Sequence, residues 1–139
     1  MRFGAVALAL LILVLVGPVA GCGDDDPGGT DALKGLVSLE ISGGFAGLME
    51  SVVVEPDGAV TIARGRRSDT ATLSDDDLAA LARDLQASGL FTEDREFRGR
   101  GADLRTYTIT YDGATVTVDE GAVPAELTAV VERLEGLGP

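Results

Sequence analysis

Between residues 37 and 42 apolar and polar positions alternate strictly: Val37, Leu39 and Ile41 are interleaved with Ser38, Glu40 and Ser42. That period of two predicts a strand with one buried face. Val52 to Val54 and Val60 to Ile62 flank Glu55-Pro56-Asp57-Gly58, where Pro suits the second position of a turn and Gly the fourth, so the two runs read as a hairpin. A second hairpin is cleaner. Tyr107, Ile109 and Tyr111 precede Asp112-Gly113, and Ala114, Val116 and Val118 follow it. A two-residue type I′ loop pairs Tyr111 with Ala114, Ile109 with Val116 and Tyr107 with Val118, which puts six apolar side chains on one face and the threonines on the other.

Two stretches change to the helical period. Ser74 stands as N-cap ahead of Asp75, Asp76 and Asp77, whose charge favours the positive end of a helix dipole. Leu73 and Leu78 flank that start as a hydrophobic staple. Leu78, Leu81 and Leu85 then mark a stripe, and Gly89 is placed to close the helix in the left-handed conformation, with Leu90 folding back toward Leu85. In the last segment Pro124 begins a helix whose apolar stripe is Leu127, Val130, Val131 and Leu134, with Gly136 just past its end. Both helices are one-sided, so they belong on the apolar face of a sheet. The expected fold is α+β: an antiparallel sheet of about four to five strands with two helices packed on one face.

The amino end breaks this pattern. Arg2 is followed by a nearly unbroken apolar run from Val6 to Val16 that stops at Gly17-Pro18, the length of a signal-peptide core and shorter than the ~20 residues of a spanning helix. Val19-Ala20-Gly21-Cys22 comes next. It resembles the bacterial lipobox, in which small residues let the peptidase close on the backbone and the cysteine thiol takes the lipid. Residues 1–21 are therefore expected to be removed between Gly21 and Cys22. The mature protein is then held to a cell membrane by lipid on Cys22, with its domain outside the cytoplasm. The alternative is a plain secretory signal followed by an incidental cysteine. Residues 22–35 read as the lipidated cysteine and a flexible acidic tether, because Gly23 to Asp31 has nothing apolar to bury and its charges repel one another. Its aspartate triplet lacks the alternating ligand spacing of a calcium loop. The folded domain is expected over residues 36–137.

Composition narrows the chemistry. The chain of 139 residues contains no His and a single Cys, so the usual general base, the commonest metal ligand and any domain disulfide are all excluded. No nucleophile and base can be paired from what remains, and no catalytic residue, metal site or cofactor is expected. The net charge of −12 repels nucleic acid and anionic headgroups and favours solubility; no nucleic-acid partner is expected, and the domain is expected to be monomeric. Two basic clusters, Arg64-Gly65-Arg66-Arg67 and Arg98-Gly99-Arg100-Gly101, have no aromatic stacking set beside them. They read as solvated loops or as contacts for an acidic protein. The stretch from Thr92 to Asp103 reads as a long loop.

The most unusual stretch is Ser42-Gly43-Gly44-Phe45-Ala46-Gly47. Three glycines around one Phe open backbone conformations closed to other residues. The stretch admits two readings, a structural bend in which Phe45 caps the core and a partner-binding loop that presents the ring. It is not a phosphate loop, since Leu48 and Met49 stand where Lys and Ser/Thr are needed.

The Ile-Ser-Gly-Gly-Phe-Ala-Gly segment, the helix ending in Ser88-Gly89-Leu90-Phe91, the Tyr107-Thr108-Ile109-Thr110 strand, and Asp119-Glu120 leading through Val123-Pro124 into a Leu-rich helix together resemble the emfourin family. The resemblance runs from about Leu36 to Leu137. It implies a non-enzymatic α+β protein that inhibits a thermolysin-like zinc metalloprotease, as emfourin does protealysin, by blocking its cleft. The lipid anchor and the long hairpin-like stretch from Val52 to Asp69 depart from that pattern. The other function compatible with the residues is a non-enzymatic lipoprotein that binds or builds the cell envelope.

Overall fold

The computed structural model describes residues 32–137. The signal segment, Cys22 and the tether as far as Asp31 lie outside the described residues. Seven strands and two helices follow in the order β1 (Val37–Gly43), β2 (Leu48–Val54), β3 (Ala59–Arg64), β4 (Arg67–Thr72), α1 (Asp75–Ser88), β5 (Arg95–Phe97), β6 (Arg105–Tyr111), β7 (Ala114–Asp119) and α2 (Ala125–Glu135). They make one sheet in the order β4-β3-β2-β1-β6-β7-β5, antiparallel throughout except where β5 joins β7 in parallel.

The α+β class is as expected, but the sheet has seven strands rather than four to five. Both additions are edge strands: β4 buries no face, and β5 only half-buries Arg95 and Phe97, the latter against the core. All six residues of β4 are exposed, so it shows no apolar alternation; its ladder with β3 holds it in place. Only three residues make up β5, inside the stretch read as a long loop. Asp94 tethers it by accepting the Thr115 N–H at 2.8 Å. Short, polar edges of this kind resist pairing with other chains.

The alternation of the inner strands sets the layers. Leu39 pairs with Val52 on one side and Ile109 on the other, and Tyr107, Ile109 and Tyr111 pair with Val118, Val116 and Ala114. All of these are buried in one core with Leu81, Leu85, Leu127, Val130 and Leu134 from the helices. The Asp112-Gly113 loop has positive φ at both positions, 51° and 81°, as a type I′ turn requires. The two helices lie together over this face, linked by an ion pair in which Arg133 Nε meets Asp84 Oδ2 at 2.8 Å. Leu33, within the stretch read as tether, is also buried in the core, and the Lys34 N–H donates to the Tyr111 hydroxyl at 3.1 Å. Folded structure thus begins ahead of Leu36.

The caps of α1 match their sequence signals. Ser74 Oγ accepts the Asp77 N–H at 3.2 Å and donates to Asp77 Oδ2 at 2.7 Å, and Gly89 closes the helix at φ 62°. Removing that first-turn bond in Ser74→Ala is expected to lower stability by about 1 kcal/mol, measurable as a shift of the urea midpoint at unchanged slope. By contrast, α2 ends at Gly136 in the right-handed conformation and Pro124 gives it no side-chain cap. Its hold on the sheet comes from Leu127, Val130, Val131 and Leu134, all buried.

Candidate functional site

Strand direction gathers the unexplained segments of the sequence at one end of the sheet. There β1 ends at Gly43 and β2 begins at Leu48; β3 ends at Arg64 and β4 begins at Arg67; β5 ends at Phe97 and β6 begins at Arg105. The glycine-framed loop and both basic clusters are therefore neighbours in space, although separated in sequence by about twenty to fifty residues.

The tip between β1 and β2 is a tight turn. The Gly47 N–H donates to the Gly44 carbonyl at 3.0 Å. Phe45 and Ala46 hold its two central positions with ordinary negative φ, and Gly47 follows at +59°, the pattern of a type I turn completed by a left-handed residue. The turn is tied down on both sides. The Gly44 N–H donates to the Leu104 carbonyl at 3.1 Å, and the Gly65 N–H donates to the Met49 carbonyl at 3.1 Å. Gly43 is required for the first tie: its φ is +85°, and a Cβ there would lie 2.7 Å from the Leu104 carbonyl oxygen.

These constraints settle where the ring of Phe45 goes. It is 98% exposed, held outward by the turn, and so does not cap the core. Four large apolar side chains are exposed among the described residues, and three of them, Phe45, Leu48 and Met49, belong to this tip and the strand that leaves it. Concentrated apolar exposure on a small protein marks a contact surface. Met49 also walls a shallow depression of about 220 Å³ on the open face of the sheet, lined as well by Glu40, Ser42, Ser51, Ala63 and Gly65. Ser42, Gly43, Gly44, Phe45, Ala46 and Gly47 are thus brought together in one projecting turn. Leu48 and Met49, which extend its apolar surface, were legible only as an apolar pair after the last glycine.

Polar contacts anchor the platform below the tip. Arg105 Nη2 meets Glu120 Oε1 at 3.2 Å and Nη1 meets Glu135 Oε1 at 3.3 Å, while its guanidinium lies over the Tyr107 ring, 5.5 Å from the centroid. The Arg105 side-chain hydrogen bond, joined by the Arg105 N–H and by the nearby positive charge, holds the Glu120 carboxyl below its ordinary value. Asp119 accepts the Gly99 N–H at 3.1 Å and the Thr106 hydroxyl at 2.9 Å, which fixes the start of the loop that carries Leu104. Gly99 is close-packed there, since a Cβ would sit 2.9 Å from the Glu120 carbonyl oxygen. The arrangement contains ion pairs and hydrogen bonds but no nucleophile set against a base. Among the described residues no cluster of His, Cys, Asp or Glu is placed to hold a metal ion.

Comparison with protein families places this domain: the emfourin model matches residues 39–135. The chain belongs to the emfourin family. The match runs from within β1 to the last residue of α2 and includes the tip. A comparison with curated proteins gives no match. As an emfourin-family member the protein falls in a group of metalloprotease inhibitors without catalytic activity.

Proposed function

We propose that this protein is a lipid-anchored inhibitor of a thermolysin-like zinc metalloprotease, working outside the cytoplasm and filling the protease cleft with the turn between β1 and β2. The observation that carries this reading is Phe45, fully exposed on a turn that is hydrogen-bonded to the loop before β6 and continues into a strand bonded to the β3–β4 turn, in a chain of the emfourin family. An inhibitor gains affinity when its contact segment is already ordered, because little conformational entropy is lost on binding. A large ring at the centre of such a segment is the usual anchor.

The path of the chain suits an anchor at Cys22. Residues 32–36 enter β1 at its Val37 end, while Phe45 lies beyond its Gly43 end. Seven strand residues separate the two ends, roughly 20 Å at the usual rise per residue. The ten residues from Cys22 to Asp31 reach up to about 35 Å when extended. The tip would then project away from the membrane, toward a protease in the surrounding space.

Two experiments test the two halves of this reading. The mature chain from residue 22 carrying Cys22→Ser, soluble for want of lipid, should form an equimolar complex with a thermolysin-like protease on size-exclusion chromatography. A small zinc-chelating ligand already in the cleft should prevent that complex. A complex that forms equally well with the cleft occupied would place the contact elsewhere. In cells, Cys22→Ser should abolish incorporation of a fatty-acid analogue and release the protein from the membrane fraction. Labelling that survives the substitution would remove the anchor.

A further inference from the structure

The tip end of the sheet is also where the arginines collect. Of the nine arginines among the described residues, six (Arg64, Arg66, Arg67, Arg98, Arg100 and Arg105) lie at this end, on a chain whose net charge is −12. Three are engaged: Arg64 with Glu50, Arg98 with Glu96 and Asp119, and Arg105 with Glu120 and Glu135. Arg66, Arg67 and Arg100 are exposed and form no ion pair among the described residues. The exposed acids at this end include Glu96 and Glu120, held by Arg98 and Arg105, together with Asp103 in the loop before β6 and Asp69 on β4.

The opposite end of the sheet has the reverse character. The turn after β2 carries Glu55 and Asp57, the turn after β6 carries Asp112, and Asp75, Asp76 and Asp77 open α1, whose preceding Leu73 N–H donates to the Gly58 carbonyl at 2.9 Å. The cations toward that end, Lys34 and Arg95, are paired with Asp112 at 3.5 Å and with Glu93 at 2.9 Å. The molecule is therefore electrically polar along its strands, with free cations around Phe45 and carboxylates at the end from which the chain leads back toward Cys22.

We infer that the surface this tip meets is acidic, a protein rim of carboxylates around the pocket that takes Phe45, and that Arg66, Arg67 and Arg100 steer the approach to it. The inference rests on the inhibitor reading and adds the chemistry of the partner's surface. Carboxylates fit better than the alternative anionic surface, a lipid headgroup layer, because the basic end is the one farthest from the point where the tether enters. Exposed charges at a rim act mainly on the association rate and its salt dependence, whereas the buried anchor governs dissociation.

The test measures association of the mature chain carrying Cys22→Ser with a thermolysin-like protease it inhibits, from about 0.02 M to about 0.5 M salt, a range over which the screening length shrinks from roughly 20 Å to roughly 4 Å. The variant with Arg66→Gln, Arg67→Gln and Arg100→Gln should associate about fivefold or more slowly at low salt and within about twofold of the parent at high salt. Its dissociation rate and thermal midpoint should be unchanged. A matched control adds the same negative charge elsewhere, at the exposed positions Ala59→Glu, Ala87→Glu and Ala129→Glu, and should alter association less than about twofold.

Equal association of the arginine variant and the parent at low salt would overturn the inference while leaving the inhibitor reading intact. Equal slowing by both variants would also overturn it, since net charge and not the basic end would then govern the rate. Binding of the parent to phosphatidylglycerol vesicles that is lost in the arginine variant would assign the basic end to a membrane instead. A parent chain that inhibits no thermolysin-like protease would remove both readings together.

Discussion

Phe45→Ala is expected to weaken inhibition roughly thirtyfold or more, because truncating a large ring at the centre of a contact commonly costs about 2 kcal/mol and each factor of ten corresponds to about 1.4 kcal/mol. The same substitution should leave the thermal midpoint almost where it was. The side chain is 98% exposed, so its removal opens no cavity, and surface changes of this kind usually stay within about 0.5 kcal/mol. Measuring the inhibition constant and the midpoint on one variant separates the two effects. A midpoint that falls together with inhibition would mean the ring supports the fold. Full inhibition without the ring would move the anchor to another residue, with Met49, 73% exposed on the adjoining strand, the next to substitute.

Gly43→Ala is expected to lower stability by about 2–3 kcal/mol, from a left-handed backbone that costs a residue with Cβ roughly 1–2 kcal/mol and from strain or loss of one hydrogen bond worth about 1 kcal/mol. The structural cause is specific. At φ +85° the new Cβ would lie 2.7 Å from the Leu104 carbonyl oxygen, the atom that accepts the Gly44 N–H. The tip and the loop ahead of β6 must then move apart. In a domain of this size the midpoint should drop on the order of 10 °C. Gly47→Ala makes the control: its φ is +59°, but a Cβ there meets nothing within 4 Å, so only the conformational cost of about 1–2 kcal/mol remains. Equal midpoints for the two variants would show that the contact with Leu104 contributes nothing. Because the tie also orients Phe45, Gly43→Ala should weaken inhibition at temperatures where the domain is still folded.

Most of the fold was legible from periodicity and local signals. The Asp-Gly turn fixes the pairing of Tyr107 with Val118 by itself, since a two-residue loop leaves one register open to the flanking residues. Ser74 and Gly89 marked both ends of α1 because helix ends leave backbone groups that few residue types can satisfy. What stayed hidden lacked a run of alternating apolar residues. In β4 the residues Arg67, Ser68, Asp69, Thr70, Ala71 and Thr72 are all exposed, so nothing in their hydropathy separates a strand from a loop. Leu33 was an isolated apolar residue in an otherwise polar segment, and only the closed core gives it a place.

The candidate site was half legible. The glycines around Phe45 announced an unusual turn, yet the same freedom suits a ring folded inward or held outward, and the outcome depends on backbone bonds to Leu104 and from Gly65 that span long sequence distances. The two arginine clusters likewise carried no sign that they share one end of the molecule with Phe45. That follows from strand order, in which β1 stands between β2 and β6 and brings both neighbouring loops to the same side.

The most direct measurement follows the residual activity of a thermolysin-like zinc metalloprotease as the mature chain carrying Cys22→Ser is added. The account predicts that activity falls in proportion to added chain and nears zero at an equimolar ratio, while a serine protease under the same conditions is unaffected. Undiminished activity of several thermolysin-like proteases at micromolar concentrations of the chain would contradict it.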